Sequence, residues 1–427
     1  MLLPKMHRIR QTFDRPLVKD IREAVNTELT RLSLHKRIKP GGRIAITAGS
    51  RGIANMAEIL KTVADRLKAL GADPFIFPAM GSHGGATSGG QLALLAHYGV
   101  TEKAMGVPIL ASMEVSEIGK TEDGVPVYID RYAGEADHIV VINRIKPHTK
   151  FKAPIESGLM KMMAIGMGKQ KGADYYHKAA LHYTFYKIIV DAGLEVLKRA
   201  PVLCGLGIVE NAYDETAKIV ALELDALEKE EKKLLEEAKR LMPRLPFNEI
   251  DLLIVDEIGK DISGVGIDPN VTGRNRDLIG VFPHPTNVKR IFVRDLTSHS
   301  NGNATGIGLV DITTKRLVEK INYQAMYMNT ITGISLEKAA VPMHFETDRE
   351  AIEVALGSIG LIPPEQSRIV RIKNTLCLDE VEVSEVFQKE LAGRRDLEKI
   401  GGPSAITFDD RGNLPDLQVH TFRKGDL

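Results

Sequence analysis

The amino-acid sequence predicts an α/β protein of two domains, each a mainly parallel sheet with flanking helices. Three observations predict it. Short apolar runs bounded by turn residues recur at 43–50, 74–80, 138–145 and 250–256, as buried strands do. Stretches with apolar residues at helical spacing lie between them. The 427 residues exceed what one hydrophobic core usually serves. Pro243 and Pro246, followed by a fresh apolar run, divide the chain into an N-terminal domain over 1–245 and a C-terminal domain over 246–400. The Gly/Pro/Asp-rich stretch 401–427 reads as a tail that packs back or is loosely ordered.

Residues 43–50 (RIAITAGS) form a buried strand that ends in small residues, and 53–70 form a helix stopped by Gly71. A second strand, 74–80, runs into the glycine-rich loop 81–90 and then a helix from Gln91 to Tyr98. The strand 138–145 ends at Lys146-Pro147-His148, where proline breaks regular structure. Residues 157–172 are rich in Gly and Met. Helix resumes near Ala173 and continues with breaks to Arg199, and 223–242 is a charged amphipathic helix. In the second domain the spacing predicts strands at 250–256, 290–294 and 367–372, with helices near 302–320 and 347–357.

Composition removes several classes of function. The formal net charge is +1, so no overall field draws nucleic acid or an anionic membrane. Aromatics make up 5% and Trp is absent, which argues against a stacking surface for bases or sugars. The two cysteines, Cys204 and Cys377, stand apart from any CxxC, so neither a disulfide framework nor a Cys-rich zinc site is expected, and a reducing cytoplasm is. The N-terminus lacks an apolar signal core, and no run is long enough to span a membrane.

In an open parallel sheet, ligands bind beyond the carboxyl ends of the strands. The four strand exits carry Arg51, then Gly81-Ser82-His83-Gly84-Gly85, then Lys146-Pro147-His148, then Gly259-Lys260. Two present a histidine and two a cation. Each histidine alone reads equally well as a hydrogen-bonded loop residue or as a general base, and His177 as a half-buried ring or a metal ligand. Lys260 reads equally as a solvated loop lysine or a substrate contact. His177 and His182 are five apart and no HExxH occurs, so a zinc hydrolase site is not supported. Gly166-Met167-Gly168-Lys169-Gln170 imitates a phosphate loop without its leading Gly or following Ser/Thr, yet leaves Lys169 and the next helix start as candidates to hold a phosphate. The cluster Met160, Met162, Met163 and Met167 reads as packing.

These loops resemble the nickel-dependent lactate racemase family and its 2-hydroxyacid racemase and epimerase relatives, most clearly over residues 40–200. The resemblance rests on Arg51 in TAGSR, His83 in GSHGG, His148 after a later strand, Lys161 in SGLMK, and His177 sixteen positions on. It implies an isomerase that inverts C2 of a 2-hydroxy acid by reversible hydride transfer to a nickel pincer nucleotide, a pyridinium mononucleotide with two sulfur donors. It implies His83 and His148 as alternating acid/base, Arg51 and Lys260 as substrate contacts, and Ser157, Gly158, Lys161 and Lys169 as cofactor contacts. It further implies His177 as the nickel ligand and cofactor-maturation enzymes as partners. Whether Lys161 is joined covalently to the cofactor stays open, as does the particular acid. Ala48 and Gly84 depart from the acidic residue and the arginine common in the family. A non-catalytic cofactor-binding protein of the same fold is the alternative, and a nickel-free hydro-lyase a third reading.

Overall fold

The first strand, β1 (Met6–Gln11), alternates its side chains and buries Met6 and Ile9. In this computed structural model, which describes residues 1–278 and 282–419, β1 does not join the sheet that follows it in sequence. That sheet belongs to a unit spanning Asp14–Met242. Its strands are β2 (Arg43–Ala48), β3 (Asp73–Pro78), β4 (Val115–Lys120), β5 (Pro126–Asp130), β6 (His138–Arg144), β7 (Val202–Glu210) and β8 (Thr216–Leu222). Five of them run in the order β3-β2-β6-β7-β8, parallel except for the last pair, while β4 and β5 form a separate hairpin.

The helix Met56–Ala69 connects β2 to β3. It buries Ile59, Leu60, Val63 and Leu67 at helical spacing against Ile44, Ile46 and Ile142 of the sheet. The helices Ser88–His97, Lys169–Ala179, Phe185–Arg199 and Leu227–Leu241 fall where the spacing places them.

The second unit contains Met1–Phe13 and everything from Pro243 onward. Its strands are β9 (Glu249–Ile258), β10 (Asn287–Leu296), β11 (Ile312–Thr314), β12 (Met343–Phe345), β13 (Ile369–Ile372), β14 (Glu380–Ser384) and β15 (Leu397–Ser404). With β1 they form one sheet, β12-β11-β10-β9-β13-β14-β1-β15. It is parallel from β12 to β13 and antiparallel beyond.

Residues 1–13 therefore depart from the N-terminal domain expected of them. Ile9 pairs with Val381 and contributes to the same core as Val255 and Val293. The helix expected over 302–320 is also absent. Gly302, Gly306 and Gly308 interrupt it, the β-branched run Ile312-Thr313-Thr314 becomes β11, and only a 3₁₀ turn at Ile307–Leu309 and the turn Lys315–Val318 are helical. The tail packs back as far as it is described: residues 401–404 belong to β15, and Leu414 and Leu417 are buried. Among the described residues no helix is long and apolar enough to cross a membrane.

Candidate functional site

The parallel pairing of β3, β2 and β6 sends their carboxyl ends to one edge of the sheet, where Arg51, His83 and His148 follow. Arg51 is exposed on a loop whose Ser50 carbonyl accepts from the Tyr98 hydroxyl at 3.3 Å. Beside it, Arg144 closes an ion pair with Glu210, whose other oxygen accepts the Ala54 N–H at 2.7 Å. Glu210 thus ties the end of β6 to the loop that carries Arg51.

His83 lies in a tight turn. Its backbone N–H donates to the Met80 carbonyl at 3.1 Å, and its ring Nδ1 lies 2.9 Å from the same oxygen. Gly84 has φ +67°, and a Cβ there would lie 2.7 Å from the Gln91 nitrogen. No side chain fits without rebuilding the turn. Gln91 spans the turn from below, donating to the carbonyls of Gly81 and His83 at 3.1 and 3.2 Å.

Behind Gln91 stands Lys169, wholly buried. Its ammonium donates to Gln91 Oε1 at 2.9 Å and to the Pro78 carbonyl at 2.5 Å, and pairs with buried Asp130 at 3.3 Å. This corrects the expectation that Lys169 contacts cofactor: its charge is committed to the fold, where it braces the His83 turn.

The His148 loop is organised by Glu156, a fully buried carboxylate. Glu156 accepts the backbone N–H of His148 at 2.7 Å and of Ala153 at 3.2 Å, and faces the Lys239 ammonium at 3.2 Å. The ring Nδ1 of His148 accepts the Lys150 N–H at 3.1 Å. The ring lies over Phe151, centroids 4.7 Å apart, and is stacked 6.3 Å from Phe185.

Lys161 follows a backbone bridge between Lys146 and Ser157 and ends the short helical turn Leu159–Lys161, which passes into a π turn over Met162–Gly166. Such turns recur at functional sites. Its ammonium lies 3.4 Å from Ser157 Oγ. Burial, then the charges of Arg51, Lys150 and Lys146, bring the amine down to about 7. Gly158 faces Glu231 so closely that a Cβ would lie 2.0 Å from its Oε1. Glu231 accepts the Met160 N–H at 2.9 Å, and burial pushes its carboxyl up to about 8. Gly158 is thus fixed as glycine by the carboxyl that anchors this helix.

His177 lies on the helix Lys169–Ala179, which is held to β5 by Tyr176. The Tyr176 hydroxyl donates to the Pro126 carbonyl at 3.1 Å and accepts the Tyr128 N–H at 3.3 Å. Burial, then the charges of Lys150, Lys161 and His83, hold the His177 ring neutral, its pKa lowered to about 3. Its Nδ1 is buried with no hydrogen-bond partner among the described residues. The electrostatic neighbours of Lys161 and His177 bring Arg51, His83, Lys146 and Lys150 into the same surroundings.

Lys260 lies in the other unit, where its ammonium donates to the Gly264 carbonyl at 2.7 Å. Sequence reasoning missed Lys150, Glu156, Phe185 and Glu231. The repeated lysines at 146, 150 and 152 around His148 were the available signal for the first. The others act through burial, which a single sequence does not display.

Among the described residues, no group of three His, Cys, Asp or Glu side chains is arranged to hold a metal ion. A metal here needs donors of its own. A single neutral imidazole beside several cations suits a metal carried by an anionic organic group, so the residues fit a nickel pincer nucleotide.

Residues 8–185 match the family model described as the lactate racemase N-terminal domain. No curated protein matches the chain. Among solved structures, the lactate racemase apoprotein from Thermoanaerobacterium thermosaccharolyticum is similar, with a TM-score of 0.50 over 87% of this chain and 93% of that one. The two share 13% identity, so that likeness speaks for the fold alone. The matched segment holds Arg51, His83, His148, Lys161 and His177, so it is this part of the chain that is similar to the lactate racemase N-terminal domain.

Proposed function

We propose that the chain is a racemase or epimerase that inverts C2 of a 2-hydroxy acid with a nickel pincer nucleotide. One observation carries the reading: within a segment similar to the lactate racemase N-terminal domain, His177 is held neutral among His83, Lys150 and Lys161. When bound, the nucleotide supplies a reversible acceptor for the hydrogen and electron pair of C2. His177 is its nickel ligand, and Ser157, Gly158 and Lys161 are its other contacts. Lys161, its amine brought down to about 7, is only part-protonated near neutral pH and presents less than a full charge to it.

The rest of the chemistry belongs to the protein's own side chains. Arg51 receives the substrate carboxylate through a planar fork of donors. His83 and His148 hold and move the hydroxyl proton at the C2 oxygen. Loss of that proton accompanies oxidation of the carbon, which becomes planar and loses its handedness. Lys146 and Lys150 add positive potential that favours an anionic substrate and cofactor.

The test is production of the chain together with the cofactor-maturation enzymes. About one nickel per chain and interconversion of the two hands of a 2-hydroxy acid are expected. His177→Ala loses the nickel, whereas His83→Ala keeps it and loses roughly 10²–10⁴-fold in turnover. A chain that retains neither nickel nor pyridinium nucleotide sinks the proposal, and nickel retention without turnover of any 2-hydroxy acid favours a cofactor-binding protein instead.

A further inference from the structure

The helix Leu227–Leu241 lies beyond the segment matched by the family model, yet it reaches the candidate site at two places. At one, Glu231 meets the turn that delivers Lys161. The N–H groups that open a helix have no partner within it. Gly158, at the N-cap of the turn Leu159–Lys161, has no side chain to supply one. Glu231 supplies it from 71 positions away, accepting the Met160 N–H at 2.9 Å. The Asn143 amide holds the same turn from β6, donating to the Gly158 carbonyl at 2.7 Å. At the other place, Lys239 faces Glu156 at 3.2 Å, and Glu156 accepts the backbone N–H groups of His148 and Ala153.

Apolar packing repeats the pattern. A Cβ at Gly205 of β7 would lie 2.8 Å from Leu159 and 3.0 Å from Leu227. A Cβ at Gly207 would lie 2.8 Å from Ile145 and 3.4 Å from Leu234. The two glycines leave room both for the helix and for the residues that lead into the Lys161 turn and the His148 loop. Leu159 stands two positions before Lys161, and Ile145 three before His148.

We infer that the helix Leu227–Leu241 is a strut that fixes the spacing between Lys161 and the His148 loop, with Glu231 and Lys239 as its positioning residues. Eight positions separate the two, about 12 Å along the axis. Each acts through another group: Glu231 through the Met160 backbone, Lys239 through Glu156. The consequence for turnover rests on the racemase reading. There a cofactor lysine and a histidine that moves a proton must keep a set separation, and a displacement of about 1 Å costs on the order of 10²-fold.

The first test uses the full chain without cofactor. Competitive acetylation with acetic anhydride, read lysine by lysine by mass spectrometry across pH, follows the titration of Lys161. In the parent its midpoint is expected near 7, among the charges of Arg51, Lys150 and Lys146. Glu231→Leu fills a similar space and leaves the Met160 N–H without its acceptor. The turn slackens, and the midpoint is expected to rise by more than about one pH unit towards the ordinary 10.5. Glu231→Gln keeps an oxygen for that N–H and is expected to keep the midpoint low. An ordinary midpoint in the parent, or an unmoved one in folded Glu231→Leu, overturns the inference. Lys239→Met, at the half-buried end, tests the other attachment even if Glu231→Leu does not fold. With ¹⁵N-labelled histidine, it is expected to shift the His148 backbone amide signal, assigned by its loss in His148→Gln; an unmoved signal overturns the inference equally. In the nickel-loaded enzyme, Glu231→Leu and Lys239→Met are each expected to lose roughly 10–10²-fold in kcat. The double variant is expected to lose little more than the worse single one, although the two effects on urea unfolding add. Turnover losses that multiply overturn the strut. If the parent chain turns over no 2-hydroxy acid, the racemase reading fails, and the acetylation and the amide spectra still decide the two attachments.

Discussion

His177 and Phe185 meet as a T, their ring centroids 5.1 Å apart and their planes at 77°. Phe185 is buried at the first position of its helix and also stacks 5.6 Å from Phe151 and 6.3 Å from His148. One ring therefore spaces the proposed metal ligand from the second histidine. Phe185→Leu keeps much of the apolar volume and removes the flat partner. It is expected to cost about 1–2 kcal/mol in urea unfolding and to lower turnover of the loaded enzyme well beyond the accompanying loss of nickel. Turnover that follows nickel content one for one would show that Phe185 is packing only.

Lys161 gives a prediction with a definite sign. Its amine titrates near 7 in the fold against 10.5 as an ordinary lysine. Below about pH 7 both states carry the proton, and the fold bears the full cost of a crowded cation. Between about 7 and 10.5 the unfolded chain binds the extra proton, so stability rises with pH and the cost fades. Lys161→Met is therefore expected to be more stable than the parent at pH 7 and below, with the advantage shrinking towards pH 10.5. Urea titrations across that range measure it. An advantage that stays constant with pH would contradict the lowered amine.

Lys169 and Asp130 form a pair with neither side chain exposed. Lys169→Met strands a buried carboxylate and unties Gln91 from the His83 turn. A loss of about 3–5 kcal/mol is expected by denaturant unfolding, with much of it recovered in the double variant Lys169→Met with Asp130→Asn. No recovery would place the cost in the Gln91 and Pro78 contacts instead.

The parts of the fold legible in the sequence are those whose burial is complete on both faces. The strands β2, β6 and β9 show as unbroken apolar runs because helices cover both sides of a parallel sheet. The basic alternation of β1 hides it, since Arg8 and Arg10 face Glu380 on a sheet margin. In β7, glycines at 205 and 207 dilute the strand signal; a Cβ at either would come within 2.8 Å of Leu159 or Ile145. Around the candidate site, the placement of Arg51, His83 and His148 just beyond strand ends was readable from order alone. Lys169 was misread because a glycine-flanked lysine resembles a phosphate loop, and only the buried Asp130 shows where its charge goes. Glu156 and Phe185 act through contacts formed only when distant segments fold together.

The position of β1 separates the two units in time. Arg8 and Glu380, bonded across the β1–β14 pair, stand 372 positions apart. At about 5–20 residues per second, β1 leaves the ribosome roughly 20–75 s before its partner is made. Residues 14–242 are contiguous and wait for nothing. The unit that carries the histidines completes its sheet early, while the other closes only after β14 and β15 arrive. Through that interval β1 is a strand without a sheet, and its alternating arginines keep it from pairing with its own kind.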